Sequence, residues 1–144
     1  MPVTVVFFDP DRGLALLRVP TLDLQPLRLA LAAGNGQPAA VVGYPGGGRE
    51  LVVGAQVAAE VTARGSDIYA ERRAVRQVYV LSARVRQGDS GGPVVDLDGR
   101  DHGVVFASTA SDTTGYALTD GELRAALAAA GAAREPVGVG ACAI

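Results

Sequence analysis

Most of this sequence consists of short apolar runs, and each run ends at residues that favour a turn of the chain. The runs are rich in Val, Leu, Ala and aromatic residues, and the residues between them are mainly Gly, Pro, Asp and Ser. Such runs are typical of β-strands, and such separators are typical of turns. We predict strands at residues 3–8, 14–19, 39–44, 51–61, 76–84, 94–96, 103–107 and 115–118. Many short strands with regular turns indicate an all-β barrel or sandwich.

A single helix is predicted near the carboxy-terminal end. Thr119 can cap its amino end, and Glu122 three positions later completes a capping box. Apolar residues follow at helical spacing to about Ala130, and Gly131 is a typical stop. Residues 20–38 carry Pro and Gly at intervals and are predicted to be a connector.

The composition indicates a folded chain and excludes several classes of partner. Of 144 residues, 49% are hydrophobic and 19% are charged, which is typical of a globular domain. A net charge of −2 gives no electrostatic reason to expect nucleic acid or an anionic membrane surface. No apolar run approaches the roughly 20 residues of a membrane helix, and the first residues lack a signal-peptide pattern. The single cysteine, Cys142, excludes an internal disulfide and a cysteine-based metal site.

The hexapeptide at residues 88–93, Gly-Asp-Ser-Gly-Gly-Pro, is the strongest chemical signal. A serine hydroxyl attacks a carbonyl effectively only when a base takes its proton and donors await the oxyanion. An ordinary glycine-rich turn has similar composition, but six residues in this order are far more specific. Here the chain resembles the trypsin-like serine proteases of the chymotrypsin fold. The resemblance implies that Ser90 is the nucleophile and that the N–H groups of Gly88 and Ser90 form the oxyanion hole.

The resemblance covers almost the whole chain. Residues 13–17 match the strand that begins with the family's catalytic Asp, and residues 39–46 match the opening strand of its second barrel. Residues 103–108 and 115–119 match the two strands that border the specificity pocket. The pocket residues implied by this alignment are Arg84, Gln87, Phe106, Ala107, Ser108 and Gly115. The finer details look most like the actinobacterial membrane-anchored periplasmic proteases of the acid-resistance (MarP-like) type.

This resemblance implies a division of the chain and a cellular setting. Residues 1–34 would supply the end of the first barrel and the connector. Residues 35–131 would form the second barrel with the nucleophile loop and the terminal helix, and residues 132–144 a tail. The expected substrate is an extended peptide in an extracytoplasmic compartment, no cofactor or metal is expected, and a membrane anchor would lie elsewhere in the parent protein. Cys142 would form a disulfide with a region upstream of the chain.

Two departures from the family pattern set the activity in doubt. The family's triad runs His, Asp, Ser along the chain, whereas the only histidine, His102, follows Ser90. His102 is predicted to be a solvated turn residue. Gly13 occupies the position of the catalytic Asp, and Asp11 could replace it only if the strand extended back through a turn. Without an imidazole, only oxyanion and binding effects remain, about 10³–10⁴ over water.

Three further side chains have open or structural interpretations. Arg84 either points into the base of the specificity pocket, which would favour acidic or neutral substrates, or ends its strand facing solvent. Asp89 is expected to accept hydrogen bonds within its own loop. Asp112 is expected to be solvated.

Three functional hypotheses remain at this point. The chain is a fragment of an active serine endopeptidase, a protease-derived binding module that has lost catalysis, or a general β-barrel interaction domain, which the hexapeptide disfavours. The hairpin at residues 3–19 also predicts self-association, because residues 3–8 carry no charge and its partner strands are missing.

Overall fold

A computed structural model describes residues 1–111 and 113–141. Asp112, expected to be solvated, and Cys142, expected to form a disulfide, lie outside the described residues. The elements in chain order are β1 (Thr4–Asp9), β2 (Leu14–Arg18), β3 (Pro38–Gly43), a 3-10 turn (Pro45–Gly47), β4 (Leu51–Ser66), β5 (Arg73–Ala83), β6 (Pro93–Val95), β7 (Asp101–Ser108), β8 (Thr114–Thr119) and α1 (Asp120–Ala130).

Strands β3 to β8 form a closed antiparallel barrel in the order β3-β4-β5-β8-β7-β6. Closure is made between β3 and β6, where Val41 lies opposite Val94. Alternate side chains of these strands point inward and are removed from water, which supplies the main stabilisation of the barrel. The buried core consists of Ala39, Val41, Val57, Tyr79, Leu81, Ala83, Val85, Val94, Val105 and Ala117. The predicted all-β barrel is confirmed.

Strand β4 is five residues longer than its predicted end at residue 61. It pairs with β5 as far as Ser66 opposite Arg73. This outer part is largely exposed, so no apolar alternation marks it in the sequence. It is a strand because β5 provides a hydrogen-bonding partner along its length.

Strands β1 and β2 form a separate hairpin that is fastened to α1 by one arginine. Arg12, in the hairpin turn, places its Nε 2.5 Å from Glu122 Oε2 and its Nη1 2.7 Å from Asp9 Oδ2. The three side chains are each 27% exposed or less, so water screens this ionic cluster only partly.

The tip of the β4–β5 hairpin holds the other side of the same turn. Ile68 donates its N–H to the carbonyl of Pro10 at 3.1 Å, and Arg72 pairs with both carboxylate oxygens of Asp11 at 2.8 Å. The ring of Tyr69 lies 6.3 Å from that of Phe8.

The carboxy-terminal tail runs beside the first hairpin. Val137 donates its N–H to the carbonyl of Val5 at 2.9 Å, and the Tyr69 hydroxyl donates to the carbonyl of Val139. The tail therefore fastens the hairpin to the tip of β4 and β5.

Helix α1 begins as predicted, with one difference at its cap. Thr119 Oγ1 accepts the N–H of Glu122 at 3.3 Å, and Gly131 follows the last turn. The Glu122 carboxylate does not return to Thr119, as a full capping box would require. It binds Arg12 and the N–H of Gln77 instead. No helix in the described ranges has the length and hydropathy needed to cross a membrane.

The connector is pinned along the barrel by Tyr79 and by the start of β7. Asp101 exchanges backbone hydrogen bonds of 2.8 Å with Arg28 and Ala30. The Tyr79 hydroxyl accepts the N–H of Ala33 and donates to Asp120. Burial is the main reason that the pKa of Tyr79 rises to about 12.

Candidate active site

The loop between β5 and β6 carries the hexapeptide and is built around a buried carboxylate. Asp89 is 2% exposed, and its Oδ2 accepts the N–H of Arg86 at 2.8 Å. The N–H of Asp89 returns to the carbonyl of Arg86 at 3.0 Å, and Gly92 donates to the carbonyl of Asp89 at 2.9 Å. These contacts match the structural role expected of Asp89, and they leave Ser90 exposed at the top of the loop.

Gly88 is required by the contact between this loop and the turn after β3. Its φ is +104°, a conformation that other residues rarely adopt. A Cβ at this position would lie 2.5 Å from the carbonyl oxygen of Tyr44. Gly46 donates its N–H to the carbonyl of Gln87 at 2.9 Å, so the two segments are joined directly.

The backbone N–H groups of the loop fall into two sets. Those of Asp89, Gly91 and Gly92 donate to carbonyls at 2.8 to 3.0 Å. Among the described residues, the N–H groups of Gly88 and Ser90 have no acceptor. The two donors predicted for the oxyanion hole are therefore available, although their convergence on one point stays a prediction.

Ser90 opens onto an apolar cavity of about 420 Å³. The cavity lies between the first hairpin, β7 and α1, and Gly13 and Leu14 border it together with Ser90 and Gly91. The structure thus brings Ser90 to the same cavity as Gly13, the position that the resemblance aligns with the family's catalytic Asp.

The two carboxylates near Gly13 are both paired with arginines. Asp9 accepts the N–H groups of Asp11 and Arg12 and contacts the Arg12 guanidinium. Burial acts to raise the pKa of Asp9, but the hydrogen bonds from Arg12 outweigh it and lower the pKa. Asp11 is bound by Arg72, and the intervening turn with Gly13 at φ +68° keeps it off β2. That Asp11 does not take the place of a catalytic Asp stays a prediction.

The prediction that His102 is solvated is wrong. It is 3% exposed, and its Nε2 lies 2.9 Å from Asp96 Oδ2 and 3.1 Å from the Gln37 amide nitrogen. The connector folds over the start of β7 and covers it, an effect that no local pattern indicates. Val105 contacts the nucleophile loop, because its carbonyl accepts the N–H of Gly91. His102 lies three residues before Val105 on β7, which is about 10 Å along the strand.

The predicted specificity residues are arranged around a valine that the alignment did not single out. Arg84 is exposed, which matches the interpretation that it faces solvent at the end of its strand. Val85, the next residue, is only 2% exposed. Val85 packs so closely on Gly115 that a Cβ there would lie 2.5 Å from Val85 Cγ2. Ser108 lies opposite Gly115 in the β7–β8 ladder.

Of the remaining predicted pocket residues, Phe106 borders the same cavity as Ser90. It lies at a bulge of β7, and the Arg76 guanidinium lies 5.1 Å from its ring centroid. Ala107 follows it opposite Tyr116. Gln87 is exposed and contributes its carbonyl to the loop contact with Gly46.

Comparison with known proteins decides the family. A model of the trypsin-like peptidase domain matches residues 1–104. The chain belongs to the trypsin-like peptidase family. The recognised family and the chymotrypsin-like fold are thereby confirmed.

The relatives of this peptidase chain include two curated proteins. The serine proteases Rv3671c and MT3772, from two strains of Mycobacterium tuberculosis, are 45% identical over 142 residues. The match covers 96% of this chain and 36% of each relative, so the chain spans about a third of their length. These mycobacterial relatives agree with the resemblance to an actinobacterial protease.

Solved structures give the same result. The crystal structure of the Rv3671c protease in its active form matches with a TM-score of 0.92 at 43% identity, over 97% of this chain and 63% of that one. The inactive form of the same protease matches with a TM-score of 0.80 at 43% identity, over 90% of this chain and 66% of that one. The serine endoprotease of Yersinia pestis, at 18% identity and a TM-score of 0.72 over 89% of this chain and 43% of that one, shares the fold.

Proposed function

We propose that this chain is the nucleophile-bearing part of a trypsin-like serine endopeptidase, and that Ser90 forms the acyl-enzyme. The observation that carries the proposal is the loop of residues 84–92, where Ser90 is exposed and the N–H groups of Gly88 and Ser90 have no acceptor among the residues that the structure describes. A preformed pair of donors is the part of such a site that a protein must fix in advance. The higher TM-score to the active form than to the inactive form supports the same view.

The chemistry assigned to these residues is limited to two roles. Ser90 Oγ forms a bond to the peptide carbonyl carbon while a base takes its proton, and the C–N bond then breaks as the base passes that proton to the leaving amine. The N–H groups of Gly88 and Ser90 stabilise the oxyanion, and each such donor typically contributes about 10²–10³ in rate. The described residues place no imidazole at Ser90, so the base has to come from outside them.

The division of the chain follows from the same proposal. Residues 1–34 supply the end of the first barrel and the connector, residues 35–131 the second barrel, and residues 132–144 the tail. The cavity beside Ser90 is then the cleft that a completed first barrel would border. The histidine and a partner for Cys142 would belong to a longer parent protein, and we propose from the resemblance that this parent is a periplasmic protein with a membrane anchor.

The geometry at Val85 also favours a class of substrate. Val85 occupies the space beside Gly115 that a long side chain of the substrate would enter. Arg84 is directed to solvent and places no charge there. We infer that the side chain before the cleaved bond is small and uncharged.

The proposal is tested with a fluorophosphonate probe, which labels only an activated serine. The 144-residue chain alone is expected to react very slowly, and Ser90→Ala is the control that defines background. Adding a first-barrel segment that carries the histidine of the family pattern, together with Gly13→Asp, is expected to accelerate labelling of Ser90. Rapid stoichiometric labelling of the chain alone would show that another group activates Ser90.

A protease-derived binding module is the second candidate. The observation that favours it is Gly13, because its φ of +68° disfavours an Asp and removes the group that would orient a histidine. On this alternative, labelling stays at background after the histidine-bearing segment has bound, although extended peptides still bind the chain.

A further inference from the structure

A second hollow, distinct from the apolar cavity, is bordered by Ser90 and by the segment that follows β3. Its volume is about 390 Å³, and its border includes Tyr44, Glu50, Gly88, Ser90 and Pro93. The hollow joins the nucleophile loop to the turn after β3, and the hydrogen bond from Gly46 to Gln87 holds these two segments together. Its shape is therefore tied to the position of Ser90.

The position of the hollow relative to Ser90 indicates which part of a substrate would enter it. On the proposed function, residues before the cleaved bond pair with β7, whose Val105 accepts a hydrogen bond from Gly91. The cleaved carbonyl carbon lies at Ser90, with its oxygen toward the N–H of Gly88. The chain after the cleaved bond must therefore leave on the far side of Ser90, toward Tyr44 and Glu50.

Glu50 is the acidic group in this hollow. Its Oε2 accepts the hydroxyl of Tyr44 at 3.0 Å, which orients the carboxylate and leaves Oε1 without a partner among the described residues. No arginine of the described chain lies within 4.0 Å of this carboxylate, although Arg49 precedes it in sequence and is exposed. A negative charge beside an open hollow attracts a cation in solution.

We propose that this hollow binds the leaving-group side of the substrate and that Glu50 selects a basic side chain there. The inference rests on the proposed peptidase function and adds to it a preference on the leaving-group side of the cleaved bond, whereas the contact of Val85 with Gly115 concerns the side chain before that bond. Because Glu50 is exposed, its ion pair with a basic side chain is worth little, and we expect a preference of about two- to fivefold.

The test measures binding and requires no turnover. Tetrapeptide amides with a free amino terminus and Arg, Gln or Glu at the first or second position are titrated into the 144-residue chain, with NMR chemical shifts as the readout. At about 10 mM ionic strength, the Arg peptide is expected to bind two- to fivefold more tightly than the Gln peptide and to shift the amides of Tyr44, Glu50 and Gly91. At about 150 mM the Debye length falls to about 8 Å and the preference is expected to shrink.

Two variants of equal charge separate a local effect from the net charge of the chain. Glu50→Gln is expected to abolish the preference for Arg, whereas Glu60→Gln, an exposed site on β4 outside the hollow, is expected to keep it. A preference that survives Glu50→Gln, equal affinities for the Arg and Gln peptides, or no shifts at these amides at about 10 mM peptide would each overturn the inference. None of these outcomes affects fluorophosphonate labelling, so failure of this inference is distinguishable from failure of the proposed function.

Discussion

Single side chains at this site are set by contacts across the barrel. Val85 lies in the loop after β5 and Gly115 lies in β8, and their contact leaves no room for a Cβ at position 115. Asp89 is similarly enclosed and bonded to Arg86. The exposed reactive residue, Ser90, is thus supported by neighbours that are fully packed, which limits how far its loop can move.

At the residue scale, Gly115→Ala is expected to destabilise the chain by about 1–3 kcal/mol, because the new methyl overlaps Val85. Val85→Ala in the same chain is expected to recover part of this loss by vacating the space. Urea unfolding of both single variants and the double variant measures the coupling. Strict additivity of the two free-energy changes would contradict the contact.

A second residue-scale prediction concerns pH and Asp101. Burial raises the pKa of this carboxyl above its usual value of 3.8. The folded state therefore binds the proton more tightly than the unfolded state, and the free energy of unfolding falls as pH rises from 3.8 through the folded pKa. Asp101→Asn removes this dependence, so the variant is expected to gain stability relative to the parent chain as pH rises through that window.

Urea unfolding at several pH values from about 3 to 7 tests this sign. Asp98→Asn, in the exposed turn after β6, is the control and is expected to show no such gain. A difference between Asp101→Asn and the parent chain that is constant with pH, or that falls as pH rises, would refute the assignment.

At the scale of elements, the first hairpin depends on the rest of the molecule for its position. A two-stranded hairpin is marginal by itself. Here Arg12 binds α1, Arg72 of the β4–β5 tip binds Asp11, and the tail binds Val5. These contacts fix the turn that contains Gly13 relative to Ser90.

Arg12→Gln is expected to loosen the hairpin without unfolding the barrel. Hydrogen bonds between charged groups contribute about 1.5–3 kcal/mol, so hydrogen exchange of the β1 and β2 amides should accelerate about tenfold or more. Arg18→Gln, at the exposed end of β2 and outside every ion pair of the described residues, is the control. Equal exchange in Arg12→Gln and the parent chain would mean that the ionic cluster does not hold the hairpin.

At the scale of the whole molecule, the first hairpin presents an open strand edge. Strand β2 pairs with β1 alone, and Leu17 on this strand is 52% exposed. The tail donates to β1, so the edge available to other chains is that of β2. Residues 14–17 of this edge carry no charge, and an uncharged edge recruits other strands, so self-association remains a prediction for this chain.

Light scattering against concentration measures this association directly. The parent chain is expected to associate, whereas Leu17→Lys and a shortened chain beginning at Gly36 are expected to remain monomeric, because a charge or removal of the edge blocks pairing. A parent chain that is monomeric at high concentration and melts no lower than the shortened chain would refute the interpretation that residues 1–34 are the end of an incomplete first barrel.

The sequence by itself determined the all-β class, most strand positions, the helix start and the family. These follow from local patterns: strand periodicity, turn chemistry and six residues in a specific order. The alignment also selected Phe106 and Gly115, which the structure places near Ser90 or against Val85. Residues close in sequence carry this information because they share one element or one turn.

Only the tertiary structure decided which distant groups meet. Arg12 and Glu122 are 110 residues apart, and the helix carboxylate serves the hairpin because the fold brings them together. The burial of His102, the outward direction of Arg84 and the placement of Glu50 beside Ser90 have the same origin. The energy of each contact depends on neighbours contributed by other strands, and a pattern within one strand does not contain them.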